Sequence, residues 1–174
     1  MKTSVKPPIF LKTLLDLIFW YTLLGLIIRA IFTGLYYFDN VPINLRVNGI
    51  EITEFNIPLA IGLFLKIVIT AIFIYIIYLL QMVVRSFNKR KLFTSLQISG
   101  LRLIGQLILV ATLLEMAVNV FLKLLFQETT RAGDEIMDSF HPLWFLLAIG
   151  LFFILLSRSF SYASGLQREN DLTV

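Results

Sequence analysis

Four long apolar stretches constrain the fold of this chain more than any other feature. Three run from about Thr13 to Phe38, Ile57 to Val84 and Leu101 to Phe126, and each exceeds the roughly 20 mainly apolar residues that a membrane-crossing helix needs. The fourth begins at Pro142 and becomes adequate when it is extended to about residue 160, with Arg158 snorkelling to the interface. Hydrophobic residues make up 58% of the 174 residues, which is more than a soluble domain of this size can bury.

These stretches predict an all-α membrane protein with four transmembrane helices in a single domain, residues 1–174. The predicted spans cover about 13–38, 57–84, 101–126 and 142–160. No internal repeat and no low-complexity linker divides the chain.

The basic residues near the spans predict their orientation, because lysine and arginine accumulate in the cytoplasmic loops of membrane proteins. They cluster in the first residues, in the loop between spans two and three, and after span four: Lys2, Lys6, Lys12, Arg85, Lys89, Arg90, Lys91, Arg158 and Arg168. The other two loops are mainly acidic. We therefore expect both termini in the cytoplasm, with residues 161–174 as a cytoplasmic tail.

The loop between spans one and two has a pattern of its own. Residues 41–55 read as two alternating strands around Asn48-Gly49, a dipeptide that favours the type I′ turn of a two-residue hairpin. In that register Arg46 falls opposite Glu51. We predict a small extracytoplasmic β-hairpin, which is either a lid without a ligand or a surface that binds an external signal.

Several ionisable residues lie within the predicted spans, where each costs roughly 2.5–3.5 kcal/mol on insertion scales and is a functional candidate by default. Asn119 and Lys123 follow Glu115 on one face of span three. We predict a charge cluster of Glu115, Asn119, Lys123, Arg29 and Lys66. Asp16 and Arg102 lie at similar depths in the inner half and are predicted to pair.

Two interpretations of this cluster remain open. It is either a proton or ion relay, or a set of pairs that fixes the register of the helices. A carboxylate surrounded by cations stays charged, which makes a poor proton carrier and favours the structural interpretation.

Two local patterns concern the inner ends of spans three and four. Thr94 and Gln97 fit a capping box at a helix start. Ser157, Ser161 and Gly165 form a row of small residues that permits close helix approach.

The sequence carries no signature of catalysis. It has no cysteine and one histidine, and His141 at the start of span four reads as a helix-entry residue and not as a metal ligand. No glycine-rich phosphate loop, serine nucleophile elbow or metalloprotease motif is present. We expect no enzyme, no cofactor and no metal. The basic segment from Arg85 to Lys91 reads as a topology signal that attracts anionic lipid, with nucleic-acid binding as the weaker alternative.

Two segments resemble a known family. Phe93, Leu101, Arg102, Ile104 and Gly105 match its inner-loop pattern, although TSLQISG replaces the usual asparagine-containing stretch. The tail matches at Leu166, Glu169, Asn170, Asp171, Leu172, Thr173 and Val174, with Gly165 shifted. On these residues the chain resembles the bacterial four-span membrane family known as domain of unknown function 2975, which implies a location in the bacterial inner membrane.

The resemblance implies no biochemical activity. Members of the family are often encoded beside a small helix-turn-helix DNA-binding protein, which implies a cytoplasmic partner of that kind. The expected partner surface comprises Arg85, Lys89, Arg90, Lys91, Phe93, Leu166, Glu169, Asn170, Asp171, Leu172 and Thr173. A tail that is merely solvated is the alternative.

We therefore predict a non-enzymatic membrane protein that regulates or sequesters such a partner. The rival prediction is a small transporter or channel subunit that uses Glu115 and its cationic neighbours. An intramembrane enzyme ranks last.

Overall fold

The computed structural model describes residues 9–39, 45–47, 50–52, 57–86, 94–126 and 132–172. Its helices are α1 (Ile9–Asp39), α2 (Ile57–Ser86), α3 (Ser95–Phe126) and α4 (Ala132–Leu172). By length and composition each contains a segment able to cross a membrane: Phe10–Leu35, Ile57–Ser86, Ser95–Leu124 and Pro142–Asn170. The predicted four-helix, all-α architecture is confirmed.

The fold class needs one correction, which concerns the predicted β-hairpin. In the described part of residues 41–55 the pairing is confined to β1 (Leu45–Val47) and β2 (Ile50–Ile52), with Arg46 opposite Glu51. A ladder of two three-residue strands is marginal by itself, and it adds no sheet layer to the four helices. Counting a hairpin as part of the fold class was therefore wrong, and the class is four-helix all-α. The rest of residues 41–55 lies outside the described residues.

The helices extend beyond the predicted spans at the ends of α3 and α4. The predicted capping box is confirmed, since the Thr94 amide donates to Gln97 Oε1 at 3.1 Å and the Gln97 amide donates to Thr94 Oγ1 at 3.4 Å. At the other end of the chain, α4 continues to Leu172, through most of the predicted tail. Residues such as Gln167 and Glu169 are good helix formers, and they extend a helix that has already nucleated.

Helix α3 is the centre of the arrangement. It packs against α2 on one side and α4 on the other, whereas α1 packs against α2 and, within the described ranges, against no other helix. Two buried apolar clusters fill the α2–α3 contact, and side chains of α4 pack against the second of them. The first cluster is Leu59, Leu63, Ile69, Val118 and Leu122, and the second is Ile76, Leu79, Val83, Leu101, Ile104 and Ile108.

The contact between α3 and α4 depends on two glycines. A Cβ placed on Gly105 would lie 2.6 Å from the Gly150 carbonyl oxygen and 3.0 Å from the Ile154 amide nitrogen, both of which are backbone atoms. The helices meet here closely enough to exclude any side chain, which is how small residues promote packing in lipid.

Replacing Gly105 with alanine should therefore destabilise the fold, because backbone atoms cannot move aside as a side-chain tip can. We expect Gly105→Ala to lower the free energy of unfolding by about 1–3 kcal/mol. Titration with denaturing detergent, followed by tryptophan fluorescence, measures this change. The matched control is Gly25→Ala on α1, where a Cβ meets nothing within 4 Å. Equal stabilities of the two variants would show that the crossing is not tight.

Candidate functional site

The ammonium group of Lys66 lies at the centre of a polar network between α2 and α3. Its Nζ atom is 2.7 Å from Glu115 Oε1 and 2.8 Å from Asn119 Oδ1. The pair is largely shielded, with side-chain exposures of 11% for Lys66 and 21% for Glu115. These three members of the predicted cluster are thus brought together, at a depth where unpaired charge is costly.

The geometry of this network suits a clamp between two helices. Glu115 and Asn119 are one turn apart on α3 and both accept from one nitrogen of α2. A slip of either helix by one residue would move the acceptors by about 1.5 Å along the axis and weaken both bonds. The network therefore fixes how α2 and α3 are aligned.

Arg29 does not reach Glu115, although the sequence predicted it as a member of the cluster. Its Nη1 atom donates instead to Thr70 Oγ1 at 3.5 Å, and Thr70 Oγ1 donates to the Lys66 carbonyl at 2.8 Å. The reason is lateral position, because α2 lies between α1 and α3. Thr70 was missed; its signal was its place one turn from Lys66, on the same side of α2.

Lys123, the remaining member of the predicted cluster, is buried with 2% exposure one turn beyond Asn119 on α3. This burial is consistent with the prediction that Lys123 lies on the same face of that helix as Glu115 and Asn119.

The predicted pair of Asp16 with Arg102 is corrected by the structure. Asp16 Oδ1 lies 3.5 Å from Arg85 Nη2, and Arg102 is exposed on α3. Because α1 packs on α2, the acid meets the arginine of its neighbour. Beside it, the buried side chain of Gln81 donates to the Leu15 carbonyl at 3.2 Å, a helix–helix bond that the sequence did not reveal.

The described residues of the predicted partner surface lie at the end of the molecule where α2 finishes and α3 begins. Arg85, Leu166, Glu169 and Asn170 are exposed. For Asp171 and Leu172 only the helical backbone is described, and Lys89, Arg90, Lys91, Phe93 and Thr173 lie outside the described residues.

The predicted row of small residues is only partly a packing surface. Ser157 is buried and its hydroxyl donates to the Ile98 carbonyl of α3 at 2.7 Å. Ser161 is exposed, and a Cβ on Gly165 would meet nothing within 4 Å. The row therefore contributes to the α3–α4 contact at Ser157, and the packing of α4 reaches at least Phe160, which lies against the second buried cluster.

A groove of about 410 Å³ opens at this same end, between α2 and the start of α3. Its lining combines aromatic, apolar and polar groups: Tyr78, Gln81, Met82, Arg85, Ser86, Thr94 and Leu96. As for metals, no three histidine, cysteine or acidic side chains come together in the part of the chain that the structure describes.

Four apolar helices with charges paired between them define the class of this chain, a multi-pass α-helical membrane protein. The model of the family described as protein of unknown function (DUF2975) matches residues 40–174. The match covers most of the chain, which therefore belongs to that family. No curated protein and no solved structure matches the chain.

The clamp, formed by Lys66, Glu115 and Asn119, should have a measurable effect on the free energy of unfolding. Replacing Glu115 alone removes the carboxylate that lies 2.7 Å from the shielded Lys66 ammonium, so Glu115→Leu should lower the free energy of unfolding by about 3 kcal/mol. Adding Lys66→Met should recover most of that loss, because the charge is then removed as well. Unfolding in denaturing detergent measures both variants.

The control for this comparison is Arg85→Leu, which breaks the more exposed pair with Asp16 and should cost less than about 1 kcal/mol. The clamp is refuted if Glu115→Leu is no worse than Arg85→Leu.

Proposed function

We propose that this protein is a non-enzymatic membrane anchor that binds a small cytoplasmic protein at its inner end. The observation that carries the proposal is the helical extension of α4 past the start of α3. Ser157 lies beside Ile98, close to the start of α3 at Ser95. Residues 161–172 therefore continue past α3, over a length of about 18 Å at the α-helical rise.

This extension has the properties of a docking element. Residues 165–170 are all exposed, so their side chains lie outside the buried core of the bundle. Tyr162 and Leu166, with exposures of 72% and 46%, lie one turn apart on one face. An apolar face on a projecting helix fits the groove of a partner protein.

The partner class rests on the family resemblance and on charge. A small helix-turn-helix regulator is the partner that the resemblance implies, and the acidic Glu169 together with the basic Arg85 offers it contacts of both signs. Binding such a protein at the membrane would hold it away from DNA. The inward orientation of this end is supported by the lysines and arginines at the first residues, the loop after α2 and the end of α4.

The rival transport function is less well supported by the geometry. A relay needs a group that exchanges its proton, whereas Glu115 lies 2.7 Å from a lysine that also bonds Asn119. That arrangement favours a fixed charge pair, so we assign the network to structure.

Truncation tests the anchor. A chain with an amino-terminal tag, isolated from native membranes, should recover a small DNA-binding protein when intact and lose it when it ends at Gly165. Mass spectrometry of the co-purified proteins reads out the result. Truncation should leave the bundle folded, because the deleted side chains are exposed up to Asn170.

Point variants provide the matched comparison. Leu166→Ala and Leu151→Ala each remove an exposed leucine of α4, one from the extension and one from the apolar span. We expect only Leu166→Ala to weaken recovery of the partner. Equal recovery with all forms, or none with the intact chain, would contradict the proposal. Loss of ion flux in Glu115→Gln with a normal fold would support transport instead.

A further inference from the structure

Gln106 places a carboxamide on the lipid-facing side of α3. It is exposed, and its place in the span Ser95–Leu124 is about 5 Å from the middle, counted at the helical rise. The neighbouring Gly105 contacts Gly150, which lies near the centre of the apolar run of α4. Among the described residues the Gln106 side chain has no hydrogen-bond partner. Lipid tails offer none, so such a group is costly unless another protein satisfies it.

Seven of the exposed residues of α3, Gln106 among them, follow a regular spacing. From Leu96 onward they recur at alternating intervals of three and four residues along α3. They are Leu96, Ser99, Leu103, Gln106, Val110, Leu113 and Ala117. This period of 3.5 residues is that of the seam along which two helices form a left-handed pair. The residues that contact α2 and α4, such as Ile104 and Gly105, are buried on the other side of α3.

The composition of this seam suits packing inside a membrane. It includes the small residues Ser99 and Ala117 as well as the amide, and helix pairs in lipid are enriched in small residues and in polar side chains that bond across the interface. Arg102 is exposed on α3 but is not one of the seam positions. In a pair of α3 helices, the Arg102 of each helix would therefore lie beside the interface and not within it.

The amide also indicates what covers the seam. A carboxamide both donates and accepts, so it is complementary to itself. In a parallel pair related by a two-fold axis each residue of the seam meets its own copy at the same depth. We propose that two copies of this chain associate through α3, with the two Gln106 carboxamides hydrogen-bonded to each other. This inference is independent of the partner-binding function, which uses the end of α4.

Cysteine cross-linking tests the interface, and the chain has no native cysteine to interfere. Leu103→Cys and Val110→Cys should form disulfide-linked dimers when native membranes are treated with a mild oxidant, because seam positions bring their Cα atoms within bonding range. The matched control is Leu151→Cys, an exposed α4 position at nearly the same depth. Cross-linking of the seam variants no better than the control, or only to a protein of another mass, would overturn the proposal.

The role of the amide has a separate readout. Purified chains labelled with two fluorophores and diluted with lipid report the dimer dissociation constant by energy transfer. Gln106→Leu should raise that constant about three- to tenfold, since interhelical hydrogen bonds in bilayers are of modest strength. Gln106→Asn should retain much of the affinity, and Leu151→Ala should not change it. An unchanged constant in Gln106→Leu would overturn the amide pairing.

Discussion

The contacts of a single ammonium group fix how the two helices at the core of this protein, α2 and α3, are aligned. In lipid, apolar surface is solvated as well by acyl chains as by other helices, so burial alone does not select one packing. Lys66 supplies the selection between α2 and α3 by bonding Glu115 and Asn119 together. The close approach of Gly105 and Gly150 does the same between α3 and α4.

These contacts divide the molecule into a fixed part and an attached part. Helices α2, α3 and α4 share the buried clusters, whereas α1 has one buried apolar residue within its described side chains, Leu15, and bonds to α2 at few points. The family match covers residues 40–174, which comprise α2, α3 and α4 together with the segment that precedes α2. Under the proposed function, the charges near the middle of the membrane serve structure, and the exposed α4 extension takes part in interactions outside the bilayer.

The sequence predicted the helices well and their lateral neighbours poorly. Apolar runs and the capping residues Thr94 and Gln97 located the helices, and the Glu115–Asn119 spacing identified the face that meets Lys66. The partners of Asp16 and Arg29 were wrong because depth alone does not tell that α2 separates α1 from α3. Counting the hairpin as part of the fold class was wrong, because the turn-forming dipeptide Asn48-Gly49 does not tell whether further strands join to build a sheet. The close approach of Gly105 and Gly150 was not predicted, because an isolated glycine in an apolar helix does not indicate which helix packs against it.

The most direct test of partner binding by the α4 extension places a photoreactive amino acid at Leu166 in that extension and, separately, at Leu151 in the span. Illumination of living cells followed by mass spectrometry identifies what each position touches. If the α4 extension binds the proposed partner, position 166 forms an adduct with one small soluble DNA-binding protein, and position 151 forms adducts with lipid or membrane protein. The same adducts at both positions, or none with a soluble protein at 166, would contradict that proposal.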